Sequence, residues 1–187
     1  CCSLTEAKEV QVDAQKEVDE MTGRLVASYL EAKVDEDVIA GYATALRSDG
    51  SFPDLDYITV YEGSFYPAGS HLKRLKSMAI AYRKPGNKYY NSGKLLKQIV
   101  AGIDYWYKVR PKSGNWWFGD IGAPQDYMVP LILLKGKISE KKLLHYSSYL
   151  RDLTGNKGHK GKNRTWVSAV TIHKGCIEDN IELIRTG

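Results

Sequence analysis

Hydrophobic residues recur every three or four positions along nearly the whole chain, the spacing that turns one face of a helix toward a core. Val10, Ala14, Val18, Met21, Leu25 and Tyr29 place a first helix over about 5–33, and Val34 to Leu46 carries a second, closed by the turn Ser48-Asp49-Gly50. Residues 51–67 hold two prolines and many aromatics and read as irregular; within them Tyr57 to Tyr61 has the pattern of a short strand with no evident partner. Leu72, Leu75, Ala79 and Tyr82 mark the next helix, with Ser70 as its expected cap and Pro85-Gly86 as its end. Leu95, Leu96, Ile99, Val100, Ile103 and Trp106 mark another, stopped before Pro111. Pro124 suits the first turn of a helix that Pro130 should kink. Ser139 caps a helix reaching Leu150, and 166–173 and 177–184 complete the series. Two loops, 108–123 and 153–165, are rich in polar and aromatic residues. The expected fold class is all-α, with a helix–loop–helix rhythm resembling the stacked hairpins of solenoids and toroids.

Composition changes this picture little. The 187 residues are 43% hydrophobic and 26% charged, as in a globular protein with an ample core. The longest apolar run, Tyr127 to Leu134, is far short of the ~20 residues that span a bilayer. Charge is more telling by position. Residues 1–40 hold 10 acidic and 4 basic side chains, a net −6, so residues 41–187 carry +11 of the formal +5 total. Such a body suits an anionic partner: nucleic acid, acidic lipid or acidic polysaccharide; scattered solvated lysines give the same count.

The three cysteines, Cys1, Cys2 and Cys176, imply no disulfide framework. The chain opens without Met, so its start reads as processed or engineered; a cysteine at a mature N-terminus fits a lipidated bacterial lipoprotein. The Gly/Lys-rich segment Thr154 to Lys162 fails as a phosphate loop, because Gly155 and Gly161 are one residue too far apart and no strand precedes them. His71, His145, His159, His173 and Cys176 show no metal-site spacing, so neither metal nor cofactor is expected.

Ser113 to Pro124 stands apart. Two adjacent tryptophans, Trp116 and Trp117, cannot both face one core, so at least one should be open to solvent, where a flat aromatic stacks on sugars or bases. Asn115 beside them offers amide donors and an acceptor. The other reading is that the pair plugs a gap between helices.

Here a family resemblance enters. Asn115-Trp116-Trp117, then Ile121-Gly122 and Pro124-Gln125, resembles the signature of polysaccharide lyase family 8, the hyaluronate, chondroitin AC and xanthan lyases. Asp49-Gly50-Ser51-Phe52-Pro53-Asp54-Leu55-Asp56-Tyr57 resembles that family's early aspartate-rich loop. His71-Leu72, Arg74-Leu75, Met78-Ala79 and Tyr82, with Pro85-Gly86 and Tyr89-Tyr90, resembles its first toroid helix and the loop after it. Gly161-Lys162-Asn163-Arg164, with Trp166 behind, resembles its short catalytic Gly-x-Asn segment.

The resemblance implies the first helical hairpins of an incomplete (α/α) toroid, with residues 1–35 as an acidic helix leading into residues 36–187. It implies β-elimination on an acidic polysaccharide of chondroitin, hyaluronan or xanthan type, and this partner is taken over nucleic acid, which leaves the four ordered motifs unexplained. Asn163 would neutralise the uronate carboxylate; Asn115, Trp116, Trp117 and Arg164 would bind substrate. The family's catalytic His and Tyr, in a Gln-His…Tyr pattern, have no match here. The chain is therefore expected to be the N-terminal part of a larger lyase, inactive without its missing C-terminal part but able to bind sugar. A carbohydrate-binding helical module without catalysis is the alternative. The expected location is secreted, periplasmic or outer-membrane-anchored in a bacterium, through Cys1 or Cys2.

Overall fold

The computed structural model describes residues 2–151 and 158–187, with side chains from residue 12 onward. Cys1, the side chain of Cys2, and 154–157 of the Gly/Lys-rich segment lie outside the described residues. Among those described, regular structure is helical throughout: α1 (Cys2–Leu30), α2 (Glu36–Ala45), α3 (Gly69–Arg83), α4 (Gly93–Val109), a π-helical turn (Phe118–Gly122), α5 (Ala123–Leu133), α6 (Glu140–Ser147), α7 (Lys162–Ile177) and α8 (Ile181–Thr186). No described helix is long and apolar enough to cross a membrane.

Side-chain caps set four of the helix starts. Asp35 accepts from the N–H groups of Asp37 and Val38 to open α2, Ser92 from Leu95, Ser139 from Lys142 and Asn180 from Leu183. Each such cap contributes about 1 kcal/mol. Ser70 is not a cap: α3 already begins at Gly69, preceded by Ala68 without any side-chain bond, and Ser70 lies inside the helix. Nor is Tyr57 to Tyr61 a strand. Asp56 gathers the N–H groups of Ile58 and Thr59 and the Tyr61 hydroxyl, a side-chain-built turn that consumes the groups a strand would pair. Helix resumes at Trp116, well inside the expected 108–123 loop, and α7 begins at Lys162 rather than 166 and takes in Ile177. Pro124 occupies the first turn of α5, and Pro130 sits within a helix that runs on to Leu133.

α5 is buried on every side, which is why its sequence reads as a continuous apolar run instead of a stripe. α3 packs on one flank of it and α7 on the other. The contacts give their directions. Lys76 of α3 pairs with Asp126 in the first turn of α5 (3.4 Å), and Trp117, just before α5, meets Trp166 in the second turn of α7. At the far end Lys135 donates to the Cys176 carbonyl and to Asp179. α3, α5 and α7 thus run parallel with their N-termini at one end, and α4, α6 and α8 return between them, making three successive hairpins. α1 lies across α7 and α8, tied by Arg185 to Glu17 at 3.0 Å.

The aspartate-rich loop is fastened by a buried relay. The Phe52 N–H donates to the Tyr57 hydroxyl, which donates to His71 Nδ1 (3.0 Å), while His71 Nε2–H donates to the Gly102 carbonyl (2.9 Å). Gly50, at φ +88°, lets the loop lie against α4; a Cβ there would sit 2.0 Å from the Ala101 carbonyl oxygen. His71 is fully buried, and desolvation lowers its pKa from 6.5 to about 4, so the imidazole is neutral, as the relay requires. His173 repeats the pattern: its Nδ1–H donates to Ala169 and its Nε2 accepts from Tyr29, and burial lowers its pKa too.

A folded-state pKa below the unfolded one means the unfolded chain binds more protons as pH falls. Stability is then full above pH 6.5 and lost progressively toward pH 4, by on the order of 3 kcal/mol for His71. Unfolding midpoints in urea between pH 7.5 and 4.5 should fall accordingly, and His71→Gln should flatten that slope; an unchanged slope would refute the assignment.

Candidate functional site

The site is built at the end where α3, α5 and α7 begin. Asn115 is its hinge. Its Oδ1 accepts from the Trp117 N–H (3.0 Å), its carbonyl accepts from the Phe118 N–H, and its Nδ2 donates to the Gly63 carbonyl (2.8 Å). A second bond, from the Gly114 N–H to the Tyr61 carbonyl (3.0 Å), fastens the same segment to the loop before α3. The carboxamide therefore starts the helical turn that carries the tryptophans, with both polar atoms engaged. Asn115 holds the tryptophan segment in place.

The two tryptophans part company. Trp117 turns inward and is half-buried. It meets Trp166 edge to face at 5.6 Å and packs with Ile121 and Val167 in a small core of its own. Its six-membered ring lies where a side chain at Gly122 would begin, 2.6 Å from a Cβ built there. The signature thus has a packing logic: Ile121 is fully buried beneath the ring, Gly122 leaves room for it, and Pro124 enters the first turn of α5. The π-helical turn widens the backbone by one residue at that point. Trp116 turns outward, 53% exposed, its indole stacked nearly parallel on the imidazole of His159 (5.5 Å, 15°).

α7 brings in the remaining residues. Asn163 and Arg164 occupy its first turn, one half-buried and the other exposed, three and two residues before the Trp166 that touches Trp117. Gly161, at φ +56°, precedes the helix without a side-chain cap. Among the described residues the N–H groups of Lys162 and Asn163, and the Asn163 carboxamide, have no hydrogen-bond partner. Lys160, Lys162 and Arg164 add cationic side chains, and none of them forms an ion pair with a described residue. A helix N-terminus with open N–H groups and flanking cations attracts an anion. The segment leading to it is attached to the tryptophan turn on both sides of 152–157, by Arg151 to Asp120 (2.7 Å) and by His159 on Trp116. Asn115, Trp116, Trp117, Asn163 and Arg164 are therefore assembled at one end of the molecule.

Acid–base groups here are poorly placed for proton transfer. Hydrogen bonding to Asp56 raises the Tyr61 pKa, and burial raises that of Tyr66, whose hydroxyl donates to the Pro111 carbonyl at 2.9 Å. His71 and His173 are buried and fully hydrogen-bonded. Among the described residues no three His, Cys, Asp or Glu side chains are grouped to hold a metal ion. Sequence reasoning missed His159 and Lys73, the latter beside the recess under Trp117 and Phe118. A lone histidine and a lone lysine carry no spacing signal.

A family model described as the N-terminal α-helical domain of polysaccharide lyase family 8 matches residues 28–187. A chondroitinase-AC of Pedobacter heparinus is 36% identical over 141 residues, covering 74% of this chain and 20% of its own length. The hyaluronate lyase HylB of Enterococcus faecalis is 30% identical over 112 residues, 54% of this chain and 11% of its own. This chain therefore spans about a fifth or less of the length of these relatives. A chondroitinase AC lyase solved in complexes with oligosaccharides superposes with a TM-score of 0.80 at 24% identity, over 89% of this chain and 25% of that one. The fold is that of the first helical hairpins of such an (α/α) toroid.

Filling the niche beside Trp117 should disturb the site without touching its polar groups. Gly122→Ala should displace the ring, change the near-ultraviolet dichroism of the tryptophans and cost about 1–3 kcal/mol of stability. Unchanged spectra and stability would show that the ring does not need the niche.

Proposed function

This chain belongs to polysaccharide lyase family 8, and from that premise we propose that it forms the sugar-binding end of an enzyme that cleaves an acidic polysaccharide by β-elimination. The polymer is of chondroitin, hyaluronan or xanthan type. One observation carries the reading. An exposed flat indole, Trp116, sits at the same end as a helix N-terminus without a side-chain cap, bearing Asn163 and cations that form no ion pair among the described residues.

Each part has a physical task. Trp116 offers apolar area to a sugar ring at small entropic cost, since its orientation is already set by His159 and by the Asn115 turn. Trp117, turned inward, anchors the turn that carries Trp116. The Asn163 amide and the open N–H groups of α7 would hold the uronate carboxylate. As the C5 proton leaves, charge delocalises onto that carboxylate, and fixed donors already in place stabilise it with little reorganisation. Arg164, Lys160 and Lys162 would draw the polyanion in, and this attraction weakens as salt rises. Asn115 acts by positioning the tryptophans.

The proton itself needs a base. In the family a tyrosine takes that proton while a histidine aids the asparagine at the carboxylate, and the Gln-His…Tyr pattern that carries both is not among these 187 residues. The tyrosines near the site have raised pKa values and stay protonated. We place the base in another part of the intact enzyme. Export follows from the substrate's size, since such polymers do not enter cells. Attachment through Cys1 or Cys2 belongs to the same proposal, and mass spectrometry of the natural protein's N-terminus tests it.

Two outcomes are expected. Hyaluronan or chondroitin oligosaccharides should change the tryptophan fluorescence of this chain saturably, and Trp116→Ala should abolish most of the change; an identical response in the variant would remove Trp116 from the site. The purified 187 residues should generate no unsaturated product from these polymers. A steady rise in ultraviolet absorbance with this chain alone would overturn the placement of the base elsewhere.

A further inference from the structure

A recess opens between the first turns of α3 and α5, at the same end of the molecule as Asn163. It encloses about 130 Å³ and is walled by Tyr66, Trp117 and Phe118, with Lys73, Gln125 and Asp126 as its polar groups. The state of each polar group narrows what it can hold. Asp126 is already paired with Lys76 at 3.4 Å, so its charge is largely answered. The Tyr66 hydroxyl donates to the Pro111 carbonyl. Two groups are left over. The Lys73 ammonium has no ion-pair partner among the described residues, and the half-buried Gln125 carboxamide has no hydrogen-bond partner there. Gln125 closes the signature that starts at Asn115; Trp117, Ile121, Gly122 and Pro124 in it are explained by packing and Asn115 by its hydrogen bonds, whereas no packing or hydrogen-bond role among the described residues explains Gln125.

We propose that this recess is a subsite for an anionic substituent, a sulfate ester or a carboxylate, on a sugar of the bound polymer. The inference rests on the reading of Trp116 as the sugar platform. An ammonium and an amide N–H, unpaired among the described residues and lining one recess with aromatic walls, suit an oxyanion on a carbohydrate: the cation supplies charge, the amide direction, and the rings contact the sugar body. A cation is disfavoured, because the one carboxylate present is neutralised. Trp117 forms one wall of the recess, and Lys73 and Gln125 become specificity residues separate from Asn163.

The test uses the isotopically labelled chain and follows the Gln125 side-chain amide by nuclear magnetic resonance. Sulfated N-acetylgalactosamine and unsulfated glucuronate are titrated separately. The Gln125 signal should shift saturably with at least one probe, and Lys73→Ala should abolish the shift. A response to the sulfated sugar alone assigns a sulfate ester; a response to glucuronate assigns a carboxylate. Lys73→Ala and Gln125→Ala should each weaken binding of a matching oligosaccharide about tenfold. No shift with either probe, or the same shift in Lys73→Ala, overturns the subsite. The platform reading is separable: it fails if Trp116→Ala leaves oligosaccharide affinity unchanged, whatever the Gln125 signal does.

Discussion

The site depends on Trp117 being wedged between the π-helical turn and α7. Its ring fills the space left by Gly122, lies over Ile121 and meets Trp166 edge-on. That contact brings the beginning of α7, and so Asn163, to the beginning of α5. It also fixes which way Trp116 points: neighbouring residues of a helical turn are about 100° apart, so burying one indole turns the other outward. The ring's apolar area is worth about 2–3 kcal/mol of burial in such a niche. Its larger consequence is positional, because the exposed indole and the first turn of α7 come from segments more than 40 residues apart in sequence.

Buried polar chemistry does the same work around the core. His71 links the aspartate-rich loop to α3 and α4, and His173 links α7 to α1. Both are neutral, each donating from one nitrogen and accepting at the other, so each satisfies two elements without burying a charge. The aspartate-rich loop is thereby fastened to α3 and α4. A site made at such loops needs that rigidity, since an ordered platform spares the entropy of arranging it on binding.

Surface charge is partly paired. Asp54 holds Arg74 in a two-point pair, Glu36 meets Lys88, and Glu17 meets Arg185. These pairs answer part of the positive charge; Lys73, Lys160, Lys162 and Arg164, like Lys94, Lys97, Lys108 and Lys141 elsewhere, form no ion pair among the described residues. The positive excess of residues 41–187 is therefore spread over the described surface as well as gathered at this end.

The helical class, the hairpin rhythm and the caps at Ser139 and Pro124 were legible in the chain, because helix periodicity and capping act within a few residues. The signature at Asn115 to Gln125 was legible as a motif, and the need for one exposed tryptophan followed from adjacency. Ser70 and Tyr57 to Tyr61 misread for a shared reason. Ser70 has the chemistry of a cap, but Tyr66 and Pro67 already begin the turns into α3; Asp56 captured the backbone groups of a would-be strand. The sequence by itself thus determined the elements and the family-like residues. The tertiary structure decided which tryptophan is exposed and which is wedged inward, that Asn115 is a hinge, and that Lys73 and Gln125 share a recess. Those outcomes turn on contacts between residues 40 or more positions apart, whose partners no local pattern encodes.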